Sequence, residues 1–315
     1  MKLSTQPKQT TIKNANKTWK DIWKDREFYM ILIPGILLTL LFMYVPMYGV
    51  LIAFRKTRLG QGFNGEWIGW KNFERLFNSG QFSNILKNTL VLNITTMFLT
   101  LPIPIVFALF LNNASSPRLK KFAQTSTYLP HLLSVVVMIE ILQIFCNGEY
   151  GLINITLRSM GKEPISFFGD TKYFVPMYII TAIWKSTGYS AIIYLSALTS
   201  IDKSVIEAAT IDGATKLQRI WHIDLKLIMP TIITLLILNM GKVMSFAQMD
   251  KVLLLQTQLN LSVSEIISTY VYKVGVAGAQ YGFGAAVGLF NNVCNIILLF
   301  MTNWISKKIA KVSMF

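Results

Sequence analysis

Few side chains in this 315-residue sequence can do chemistry, and most of those few sit where chemistry is expensive. Lys185 and Lys242 fall inside long apolar runs, and Asn239, Gln248, Asp250 and Asn291 punctuate two of those runs. A charge near mid-bilayer costs at least ~2.5 kcal/mol on insertion scales, so each lysine needs a wet cavity or a partner. Amides and carboxylates hydrogen-bond the neighbouring hydroxyls of a polyol. An aromatic face such as that of Tyr189 or Phe246 covers the apolar side of such a solute. Two readings of the lysines stay open. Either they line a path for a polar solute, or they form structural ion pairs with Asp250, Glu140 or a carboxylate of another chain. Asn291 serves equally as hydrogen-bonding glue between helices.

Catalysis has no comparable set of groups. Two histidines, His131 and His222, lie far apart, and Cys146 and Cys294 lack zinc-type spacing. There is no G-x-x-x-x-G-K-[ST], no G-x-S-x-G and no H-E-x-x-H. Gly275, Gly278, Gly282, Gly284 and Gly288 cluster at the start of the last apolar run, where close helix packing or a flexible entry is the better reading than phosphate binding. The sequence is that of a non-enzyme with no cofactor or metal of its own.

The elements that must position these residues are membrane helices. Apolar residues make up 53% of the chain and charged ones 14%, against about 25% in an ordinary soluble domain, and the mean hydropathy is +0.47. Six stretches can cross about 30 Å of hydrocarbon. They run from Phe28 to Phe54, Ile85 to Leu111, Phe122 to Cys146, Tyr173 to Thr199, Ile228 to Leu255 and Phe283 to Ile305. The predicted fold is all-α, a polytopic membrane protein with six transmembrane helices and a cytoplasmic coupling helix. Residues 1–27 form a cytoplasmic segment in which Trp19, Ile22 and Trp23 share one face of an interfacial helix. Residues 28–305 form the membrane domain, including a loop over 200–227, and 306–315 form a cytoplasmic tail.

Lys and Arg set the orientation. Seventeen lie in the N-terminal segment, the second-to-third and fourth-to-fifth connections and the tail, against nine on the other side. Both termini are therefore expected in the cytoplasm. The net charge of +15 is largely this topological signal, so nucleic acid is not needed to explain it.

The loop between the fourth and fifth spans reads as a short amphipathic helix, an Asp212-Gly213 turn and a second helix. Ala208, Ala209, Gly213 and Ala214 make a small-residue surface that another backbone can approach, and Glu207 can meet a basic groove. This is a docking knob, the alternative being a hairpin lying idle on the membrane.

Glu207-Ala208-Ala209, Gly213 four residues on, and Ile223-Asp224-Leu225 resemble the EAA motif of binding-protein-dependent ABC importer permeases. The proline that usually follows is Lys226 here, and the nearest is Pro230. Trp67-Ile-Gly-Trp70-Lys-Asn72-Phe73, Gln124 to His131, Trp184 to Tyr189, Thr269 to Gly275 and Ala286 to Phe290 are similar to the polysaccharide and multiple-sugar branch. The resemblance implies a type I importer permease in a bacterial cell membrane. It also implies a second homologous permease, two ATPase subunits carrying ATP and Mg, and an extracellular sugar-binding lipoprotein that delivers an oligosaccharide. Glu207, Ala208, Ala209, Asp212, Gly213 and Ala214 would then dock on the ATPase. The alternatives are a stand-alone secondary transporter or channel and, third, a membrane-embedded enzyme.

Overall fold

A computed structural model describes residues 26–57, 60–245 and 247–310, so the interfacial helix expected at Trp19–Trp23, the end of the tail and Phe246 lie outside the described residues. The chain divides into two units between Leu51 and Ile52. In the first, α1 (Arg26–Thr39) runs through a π-helical turn (Leu40–Tyr44) into a 3-10 stretch (Val45–Phe54) whose last three residues belong to the second, making one apolar helix of 29 residues. None of residues 26–51 is buried, and the helix is apolar all round, as a lipid-facing helix is.

The second unit begins with two two-residue strands, β1 (Arg55–Lys56) and β2 (Glu66–Trp67), paired antiparallel. Then come α2 (Lys71–Phe77), α3 (Phe82–Thr100) and α4 (Pro102–Asn113). The last two join into one 32-residue span, since Leu101 stays helical and Pro102 takes a first-turn position where its missing N–H costs nothing.

The third predicted span is not a single rod. α5 (Pro117–Leu132) and α6 (Val135–Cys146) meet at a 103° bend. Leu133 and Ser134 are extended there, and the Ser134 hydroxyl accepts from the Val137 amide at 3.2 Å, starting a new helix. After α7 (Leu152–Ser159), the fourth span is α8 (Thr171–Thr199), 29 residues long. Among the described residues four helices are long and apolar enough to cross a membrane, and the bent pair supplies a fifth candidate. α8 has the length, but Lys185-Ser-Thr-Gly188 interrupts its apolar residues.

The fifth span is also displaced from its predicted bounds. After α9 (Lys203–Ile211), a continuous helix of 25 residues runs from Lys216 to Met240 through α10 (Lys216–Arg219), a π-helical turn (Ile220–Asp224) and α11 (Leu225–Met240). Four residues separate it from α9, and Thr215 and Gln218 start it with a reciprocal capping box. The π-turn carries the chain past the position of the missing proline, and Pro230 is absorbed inside α11. The helix stops at Gly241, well short of Leu255. A short break follows, then α12 (Met249–Leu255), α13 (Leu261–Ser264), α14 (Ile267–Tyr270), a π-helical turn (Val271–Ala277) and α15 (Tyr281–Ala310).

The core is built around α8. Phe174 and Tyr178 pack with Leu92, Met138 and Leu255 near one end, and Ala191, Tyr194 and Leu198 with Ile105, Ala108 and Ile228 near the other. Lipid tails are as apolar as leucine, so close packing rather than escape from water holds helices together here. Gly275 and Gly284 supply one such approach: a Cβ on Gly275 would stand 2.8 Å from the Gly284 Cα. That is the packing role read from the glycine cluster.

Candidate translocation chamber and coupling helix

A polar chamber of about 180 Å³ opens where α3, α5, α8 and the interrupted fifth span converge. Thr96 and Thr100 come from α3, His131 from α5, Tyr178, Lys185 and Ser186 from α8, and Gln248 and Lys251 from beyond the break. Lys185 sits at the middle of α8, half-buried, and Lys251 is 2% exposed. The Lys251 ammonium donates to the Tyr178 carbonyl at 2.7 Å and lies 3.9 Å from the centre of the Tyr178 ring. Among the described residues no carboxylate lines the chamber. Thr96 is 2% exposed and its hydroxyl has no hydrogen-bond partner. The imidazole of His131 stacks on Tyr189, with ring centroids 4.0 Å apart.

The break in the fifth span makes this chamber possible. Non-helical backbone at membrane depth survives only where protein or a wet cavity satisfies it. Here the Met244 amide donates to Asn295 Oδ1 at 2.9 Å, the Ala247 amide to Asn93 Oδ1 at 2.9 Å, and the Gln248 amide to the Tyr178 hydroxyl at 3.0 Å. Asn93 and Asn295 are buried, so two amides that look like ligand-binding groups are committed to holding the interrupted chain. Discontinuous helices of this kind build substrate sites in transporters.

Of the residues read from sequence, Lys185 and Gln248 line the chamber, and Tyr189 reaches its edge through His131. Asn239 is half-buried on the last turn of α11 and Asp250 is exposed on the first turn of α12; neither contributes. Asn291 donates to the Ser245 hydroxyl at 2.7 Å, which is the glue role. Lys242 is exposed in the break, so this chain imposes no burial cost on it. Neither Lys185 nor Lys242 has a carboxylate within 4.0 Å among the described residues, which removes Asp250 and Glu140 as partners within this chain. Sequence reasoning missed Thr96, Thr100, His131, Tyr178, Ser186 and Lys251. Of these, Lys251 carried a usable signal, as a third lysine inside the predicted fifth span, beside Asp250.

The loop between the fourth and fifth spans forms the short helix, turn and second helix expected of it. Asp202 caps α9 through its carboxylate, which accepts from the Ser204 amide at 2.9 Å, and this bond holds the Asp202 carboxyl below its ordinary pKa of 3.8. Glu207, Ala208 and Asp212 are exposed, Ala214 is half-buried, and Ala209 turns inward at 8% exposure. Gly213 closes the helix at φ +76°, letting the Ala214 amide donate to the Ala209 carbonyl at 3.0 Å. Beside it Ile211, Leu217 and Trp221 stand 86%, 78% and 69% exposed, a larger apolar surface than the small residues alone. Asp224 is fully buried one turn on, with Arg219 Nε 4.0 Å away, and Arg219 also donates to Asn113 at the end of α4. These contacts tie the root of the coupling loop to the membrane helices.

The chain matches the family model described as binding-protein-dependent transport system inner membrane component over residues 79–311. It belongs to this family. It is therefore a non-catalytic membrane component of a transport system, which sets aside the stand-alone transporter, channel and enzyme readings. Protein LplB of Bacillus subtilis (strain 168) is 40% identical over 93% of this chain and 92% of its own length. The polygalacturonan/rhamnogalacturonan transport system permease protein YteP of the same organism is 39% identical over 91% of this chain and 90% of its own length. Among solved structures, a bacterial ABC transporter involved in import of the acidic polysaccharide alginate superposes with a TM-score of 0.84 at 35% identity. That match covers 92% of this chain and 98% of the other. A second structure of a bacterial alginate ABC transporter, in complex with an alginate pentasaccharide-bound periplasmic protein, matches equally well.

Proposed function

We propose that this chain is the permease subunit of an ATP-driven importer of acidic oligosaccharides, with both termini in the cytoplasm. It would work with a second permease, two ATPase subunits and an extracellular binding protein. The observation that carries the substrate class is the chamber: two lysines, two threonines, a histidine and a glutamine, with no carboxylate among them. Cations supply the complement of uronate carboxylates, and the hydroxyl and amide groups suit sugar hydroxyls. Its volume is below the ~300–1,000 Å³ of a ligand pocket, so the second permease must supply the rest of the path. The relatives that handle galacturonan and alginate support the same class. Transport follows from alternating access: ATP-driven closure of the ATPase pair moves α9, and the helices around the chamber open first to one side and then the other.

The test is uptake by cells expressing the assembled transporter, using oligogalacturonate and a neutral oligosaccharide of equal length. Lys185→Met removes one ammonium from the chamber while keeping chain length. Uptake of the acidic glycan should fall about tenfold, corresponding to roughly 1.4 kcal/mol, with neutral uptake unchanged. Equal uptake of both glycans by the wild type would refute the acidic assignment.

A further inference from the structure

A second polar pocket, about 310 Å³, lies apart from the chamber where β1, α2 and the first turn of α15 meet. Among the described residues, Arg55, Lys56 and Arg75 line it with Thr57 and Gln280, and no carboxylate does. The nearest acids by chain position are Glu66, opposite Lys56 in the two-stranded ladder, and Glu74, next to Arg75; neither lines the pocket. Arg55 is held in place by bonds from its guanidinium to the carbonyls of Phe63 and Gly65, yet its Nε is buried without a partner. Arg75 lies over the Phe283 ring at 4.4 Å, which leaves its in-plane N–H groups free to face a ligand.

Two features show that the pocket is built for an occupant. Thr57 is only 9% exposed, and its hydroxyl has no partner among the described residues. The Gln280 amide oxygen is also buried and unpartnered, and a half-turn of its last torsion presents the NH2 instead. Both sit at the N-terminus of the 30-residue α15, where the first intrahelical bond runs from the Gly284 amide to the Gln280 carbonyl. The amides before it point out of the helix with the positive end of its dipole. Three cations, a helix N-terminus and a buried idle hydroxyl share one complement, an oxyanion.

Position identifies the source of that oxyanion. Phe54 ends the first apolar helix and Tyr281 begins the last, so by chain position the pocket lies at a membrane–water boundary. Trp67 and Trp70, 58% and 65% exposed, flank it, with Phe54 stacked on Trp67 at 5.6 Å and edge-on to Trp70 at 5.4 Å. Exposed indoles beside Arg and Lys at helix ends are the composition of an interfacial belt. We propose that this pocket binds the phosphate of an anionic phospholipid headgroup. The lipid then ties the β1–α2 segment to α15 and makes the stability of the complex dependent on membrane composition.

The test uses the purified transporter complex in vesicles of phosphatidylcholine alone or mixed with phosphatidylglycerol. The wild-type melting temperature should rise by about 2–4 °C with phosphatidylglycerol. Thr57→Val should melt like the wild type in phosphatidylcholine, since the hydroxyl has no protein partner to lose, but should lack the rise. Arg75→Gln, at an exposed position, should lack it too. Native mass spectrometry should find one fewer retained phosphatidylglycerol in each variant. An undiminished rise in both variants, or no rise in the wild type, would overturn the proposal. So would an equal rise from inorganic phosphate or oligogalacturonate in phosphatidylcholine vesicles, which would assign the pocket to a free anion.

Discussion

Gly213 holds φ at +76° with nothing within 4 Å of the place a Cβ would occupy. The constraint on this residue is therefore its own backbone conformation and not crowding within the chain. Alanine there costs about 1–2 kcal/mol for the left-handed conformation, enough to loosen the turn that closes α9. Gly213→Ala should raise amide exchange over 208–214 and lower ATP-driven uptake at matched expression, while Gly213→Asn, which tolerates that conformation better, should do less. Wild-type exchange and uptake in Gly213→Ala would remove the turn from the coupling device. The same scale shows what a sequence can disclose about a site. Lys185 and Gln248 were legible because a polar residue in an apolar run costs energy and must be repaid by its surroundings. Thr96, Thr100 and Tyr178 carry no such anomaly, being ordinary residues of membrane helices. Their convergence depends on how α3 and α8 cross, which no local pattern records.

At the scale of elements, the helical class and most helix ends followed from hydropathy and capping, whereas the two interruptions did not. Val135 to Cys146 is as apolar as any span, and only the Ser134 cap marks the 103° bend before it. The fifth span looked continuous because Val243, Met244 and Ala247 keep the apolar pattern through the break. What ends the helix is distant in sequence: Asn93 and Asn295 offer carbonyl oxygens that compete with the helical bonds of residues 244 and 247. Asn93→Leu keeps roughly the volume and leaves the Ala247 amide buried without an acceptor, a loss of about 1–3 kcal/mol. The complex should melt several degrees lower and transport less. Asn291→Leu should be milder, since it breaks only a side-chain bond to the exposed Ser245. Equal melting for both variants would mean that the break is held by packing alone.

For the whole molecule, the surfaces at the two ends of the membrane helices must meet different partners, and orientation decides which. In the proposed orientation the loop with α9 lies in the cytoplasm, and the exposed Ile211, Leu217 and Trp221 beside Glu207 form an apolar surface that an ATPase subunit can cover. The same reasoning puts α7 and the residues after it, with Arg158 and Lys162, outside. This orientation rests on the Lys and Arg balance, seventeen against nine. A direct check begins with Cys146→Ala and Cys294→Ala, which remove a buried and a half-buried thiol. Single cysteines then go in at Met160 and Ile211, 63% and 86% exposed. A membrane-impermeant maleimide applied to intact cells should label Met160→Cys at once and Ile211→Cys only after permeabilisation. In the assembled transporter, labelling of Ile211→Cys should stay slow even in permeabilised cells and speed up when the ATPase subunit is left out of the expression. The reverse pattern would invert the molecule and detach α9 from ATP hydrolysis, because a helix outside the cell cannot be moved by an enzyme inside it.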